Sequence, residues 1–122
     1  MGTSDQEDDS DGPRRRTVSE QTLAARQAVQ LVAPINERVG EWQSESVRLA
    51  TAAQRRRDMG RDDAELGRDI RALLAKVEAE LKSLDEAVLL LSPEVAANSR
   101  LVDTRRGLQI VAERLRAAQA SA

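Results

Sequence analysis

The side chains that do most enzyme chemistry are missing from this chain. It contains no histidine, cysteine or tyrosine, and lysine occurs only at Lys76 and Lys82. Nucleophiles, general bases and transition-metal ligands near neutral pH come mainly from those residue types. Carboxylate chemistry and hydroxyl modification are what is left. Paired carboxylates can divide acid and base roles when burial or close pairing pushes their pKa values apart. The densest acidic group, Asp62, Asp63, Glu65 and Asp69, lies beside Arg61, Arg68 and Arg71 at a helix start. That setting favours solvated acids complementing the helix dipole over a catalytic pair. Glu7, Asp9, Asp11 and Gly12 match the opening of an EF-hand loop. The loop's twelfth position would be Val18 where Glu is needed, and Arg14, Arg15 and Arg16 fall inside it. Thr17 and Ser19, following those arginines, are the candidate phosphorylation positions. A phosphate there would sit at a helix N-terminus, where negative charge is favourable. The expectation is a protein that is not an enzyme and holds no metal and no cofactor.

Binding chemistry is better represented. Trp42 is the single aromatic residue, and the most area-rich anchor the chain can offer a partner; the ordinary alternative is a core tryptophan. The run Ala87-Val88-Leu89-Leu90-Leu91 is apolar all round a helix. A helical hairpin buries only one stripe, so Leu89 and Leu90 need a cover from the first helix or from a partner. Net charge is −2, with five acids among residues 1–12 and equal numbers of acids and bases from Thr17 onward. A neutral body without stacking aromatics argues against nucleic-acid binding. The apolar run is far too short to span a bilayer, and the acidic start Met1-Gly2-Thr3-Ser4-Asp5 has no apolar h-region. No membrane insertion is expected, and a cytoplasmic location is.

The elements that must position these residues are helices. Residues 1–16, acidic and ended by Gly12-Pro13 and three arginines, read as a disordered tail, and 17–120 as a helical coiled-coil region. Thr17-Val18-Ser19-Glu20 has capping-box form. The first helix is expected over 17–58. Its heptad stripe runs through Ala25, Ala28, Val32, Ile35, Val39, Trp42, Ser46, Leu49 and Ala53. Pro34 removes a donor and clashes with the preceding turn, so a kink or break is expected there. Gly60 is the expected C-cap. The second helix, about 62–91, carries Leu66, Ile70, Leu73, Val77, Leu81, Leu84, Val88 and Leu91, with a stutter that is not a uniform zipper. Ser92-Pro93-Glu94 supplies an N-cap, a first-position proline and a first-turn acid. It predicts a third helix over 93–119, paired with the second in a tight hairpin. On it lie Leu101, Thr104, Leu108, Val111 and Leu115, and Gly107, which would let another helix approach closely. Leu, Ile and Val total 27 residues and alanine 19, a lean supply for an independent core. The fold class expected is all-α, an elongated antiparallel bundle or coiled coil completed by partner helices.

The segment Leu91-Ser92-Pro93-Glu94-Val95, followed by Leu101-Val102, Arg105-Arg106, Leu108, Val111 and Ala112-Glu113-Arg114-Leu115, resembles the last helix of the snapin/pallidin group. These are small helical subunits of complexes that act in lysosome-related organelle biogenesis and lysosome positioning. The match covers about 25 residues, and Glu94 stands where the family often has tyrosine. The resemblance implies a subunit that assembles with sister subunits, in membrane trafficking or organelle positioning, peripheral on organelle membranes through its complex.

The function read from the chain is therefore a non-enzymatic subunit or adaptor of a cytosolic multi-protein complex, hetero-oligomeric in preference to homo-oligomeric. Its partner-binding candidates are Ile35, Val39, Trp42, Leu49, Leu84, Val88, Leu89, Leu90, Leu101, Leu108 and Leu115. Two rivals stand beside it: a bacterial helical secretion chaperone or adaptor, and a self-contained homodimeric coiled-coil spacer. Seventeen arginines against two lysines suit either a GC-rich genome or bidentate interhelical pairs with acids.

Overall fold

Heptad stripes without β-branched runs fold as helices, and helix is the only regular element among the described residues. The computed structural model describes the backbone of residues 8–60 and 63–121 and the side chains of residues 22–60 and 63–120. In chain order come α1 (Asp8–Asp58), α2 (Ala64–Val88), the single turn α3 (Pro93–Ala96) and α4 (Ser99–Ser121). The chain is all-α, as its periodicity predicts.

Helix α1 starts earlier than expected and is continuous where a kink or a break was expected. It begins at Asp8, nine residues before the Thr17 capping box and inside the segment expected to be a tail; residues 1–7 of that segment lie outside the described residues. The helix also runs unbroken through Pro34. Pro34 is exposed while Val32 and Ile35 are buried. Its ring therefore lies on the solvent side of the helix, and packing on either side offsets the roughly 3 kcal/mol that an interior proline costs. The C-terminal end follows expectation. Arg55, Arg56 and Arg57 occupy the last turn, and Gly60 takes the left-handed conformation at φ 68° while its N–H donates to the Arg57 carbonyl at 3.0 Å.

Helix α2 starts on Asp63, whose carboxylate accepts from the Leu66 amide at 3.1 Å. It ends at Val88, short of Leu91. Ser92 caps the next turn through its Oγ, 3.4 Å from the Val95 amide, with Pro93 at the first position. That turn does not continue to 119 as expected. It closes at Ala97, and Asn98 begins α4 by accepting from the Arg100 amide at 3.0 Å. Asn is a strong N-cap residue, so Asn98-Ser99 restarts the helix in a new direction. The connection is a ten-residue stretch, 89–98, built around one turn, in place of a loop-free corner.

The long helices lie side by side. Arg38 pairs with Glu80 at 2.8 Å and Arg56 with Asp63 at 3.1 Å, so α1 and α2 draw closer in sequence toward their turn. Arg105–Asp85 and Arg116–Glu78 do the same for α2 and α4. The chain doubles back at both turns, and α1 and α4 therefore run the same way. Their seam holds one register. Thr104 hydroxyl donates to Asn36 Oδ1 at 2.6 Å, and Arg114 Nη1 donates to Ser46 Oγ at 3.0 Å, each across 68 residues. Between these polar layers a Cβ on Gly107 would come within 3.1 Å of Val39 Cγ1. Part-buried polar pairs of this kind, each with one buried hydroxyl, favour one register, because a slip separates the partners. The main core gathers Ile35, Val39, Leu49, Ile70, Val77, Leu84, Leu108, Val111 and Leu115. A smaller cluster of Ala24, Ala28, Val32, Val95 and Leu101 seats α3 at one end.

Candidate partner-binding surface

The stripes proposed to meet partners are mostly used within the chain. Ile35, Val39, Leu49, Leu84, Leu101, Leu108 and Leu115 are all buried in the two internal clusters. In this fold they face one another inside the chain; heptad spacing marks a buried seam but does not say whose helix lies across it. Trp42 and Val88 are half-buried against the main core. Trp42 thus packs at the seam edge with part of its ring in solvent. Leu89 and Leu90 are 83% and 88% exposed. They stand in the turn after α2, exposed among the described residues.

The surface available for binding lies off the stripes. Between α2 and α4 runs a depression whose apolar floor is Val88, Leu101, Val102 and Ile110. Val102 and Ile110, 49% and 41% exposed, lie one step off the heptad stripe of α4. A surface position of this kind is assigned to solvent by periodicity alone, so the stripe hid them. Two large apolar residues spaced eight apart on the outer face were the signal that could have found them. Arg105 crosses the depression and grips Asp85 with both arms, at 2.6 and 3.1 Å. That hydrogen bonding holds the Asp85 carboxyl below its ordinary value and the Arg105 guanidinium above its own. The pair clips the two helices together beneath the groove.

Electrostatics elsewhere is structural. Backbone hydrogen bonding from Leu66, with the Arg56 pair, holds Asp63 below the usual carboxylate range. Glu45 is lowered in the same direction by its hydrogen bond from Arg48 one turn on. Arginine therefore does supply interhelical pairs, at Arg38, Arg105 and Arg116. Among the described residues no group of three or more acids is gathered closely enough to hold a metal ion. None of the described helices is long and apolar enough to cross a membrane. The side chains of Thr17 and Ser19, like those of the acidic run from Glu7 to Asp11, lie outside the described residues.

Comparison with protein-family models, with curated proteins and with solved structures finds no match.

Proposed function

We propose that the chain is a non-enzymatic helical subunit or adaptor of a multi-protein complex, working as an antiparallel, coiled-coil-like bundle. It engages sister subunits through the groove between α2 and α4. The observation that carries this reading is the open apolar floor of that groove, with Val102 and Ile110 exposed beside it. A partner helix laid there would complete a four-helix arrangement and bury both residues. The absence of histidine, cysteine and tyrosine from the sequence supports a binding role over catalysis. The likeness of residues 91–115 to the snapin/pallidin group favours a cytosolic setting in membrane trafficking or organelle positioning, with hetero-oligomeric partners.

The experiment is affinity capture of the tagged full chain, with the Val102→Arg/Ile110→Arg variant run in parallel. Near-stoichiometric small helical proteins should elute with the wild type and be lost from the variant, while its circular dichroism is unchanged. Equal recovery from both forms, or no partner with either, contradicts the reading.

A further inference from the structure

One end of the bundle carries two exposed surfaces bordered by opposite charges. The first is a knob. Leu89 and Leu90 project from the turn after α2, with the carboxylates of Glu86 and Glu94 on either side of them in sequence and exposed. The second is a depression on α1 and α4, lined by Thr22, Ala25, Arg26, Val29, Gln30 and Arg100. Its centre is small and apolar, and two guanidinium groups flank it. Both belong to the same end, because the cluster beneath α3 ties Val95 to Ala24, Ala28 and Leu101. Neither Arg26 nor Arg100 has a carboxylate partner among the described residues, and neither Glu86 nor Glu94 has a cation.

We infer that a second copy of this chain covers the end, each copy seating its Leu89–Leu90 knob in the other's Val29 depression. A two-fold interface requires a self-complementary surface. Here the acids that border the knob meet the arginines that border the hole, twice over. The apolar knob is the kind of central anchor that carries most interface energy, with the charges setting partner and register at the rim. This contact lies apart from the α2–α4 groove and does not depend on the function proposed for it.

Sedimentation velocity of the purified full chain, over about 1 to 100 µM, tests it. The expected result is a reversible dimer. Leu89→Glu/Leu90→Glu should weaken it at least about tenfold, a modest figure for a buried anchor. Both leucines are more than four-fifths exposed, so helicity should not change. Glu86→Arg/Glu94→Arg should also weaken it, and adding Arg26→Glu/Arg100→Glu to that variant should restore it, which a fold defect would not. A chain that stays monomeric throughout, or a dimer indifferent to these changes, overturns the inference. A monomer that still captures partners through Val102 and Ile110 overturns it while leaving the proposed function standing.

Discussion

Single residues show how differently one amino-acid type can act along this chain. A methyl group on Gly40 would meet nothing within 4 Å. Gly40→Ala should therefore raise stability by up to about 1 kcal/mol through helix propensity. Gly107 sits as deep in its helix, but its Cβ would press on Val39, so Gly107→Ala should gain less and Gly107→Leu should destabilise. Gly60, at φ 68°, should lose about 1 kcal/mol on change to alanine, since only glycine adopts that conformation freely. Thermal melts of the four variants check this order. Acid should act through Asp63 and Asp85. Their folded pKa values lie below the unfolded ones. Their contribution is then fully present above the ordinary aspartate range near pH 4 and is lost as pH falls through the lowered values. Melting temperature should drop on acidification below that range, and Asp85→Asn should flatten part of the drop.

At the scale of elements, the sequence made some features legible and concealed others for physical reasons. Ser92 capping, Pro93 at the first position and Gly60 at the C-terminal turn are local chemistry, set within four residues, and they occur where the residues predict. The core stripe of α2 was legible because period alone defines it. The split between α3 and α4 was not: Ala97-Asn98-Ser99 keeps the heptad in step, and only the capping preference of Asn98 hints at the restart. Pro34 carries the local cost of an interior proline, while Val32 and Ile35 are buried on either side of it. That cost should still be there. Pro34→Ala removes it at an exposed position, and stability should rise by about 1–3 kcal/mol. An unchanged or lower melting temperature would show that the helix is not held through Pro34 by its flanking contacts.

For the whole molecule, the question periodicity leaves open is which chain completes each seam. Three helices with a lean supply of Leu, Ile and Val looked insufficient to close a core without partners. In the fold, parallel α1 and α4 approach closely at Gly107, so small residues such as Ala112 and Ala118 pack where larger ones would otherwise be needed. The residues proposed to bind were legible only in part: Leu89 and Leu90 stood out as a surplus of leucine, whereas Val102 and Ile110 emerge only once both helices flanking the groove are in place. The energetic split follows. Leu108→Ala or Ile70→Ala, each fully buried, should cost about 2–5 kcal/mol. Leu90→Ala should fall within about 0.5 kcal/mol in the isolated chain.

The central claim is that the heptad stripes close on one another inside a single chain, leaving other surfaces for partners. Far-UV circular dichroism of the purified chain, melted at about 1 µM where weak association is negligible, tests it most directly. The account predicts a strongly helical spectrum and a cooperative melt at that dilution. A weakly helical, gradually melting chain that gains structure only when another protein is added would contradict it, because the stripes would then be waiting for a partner.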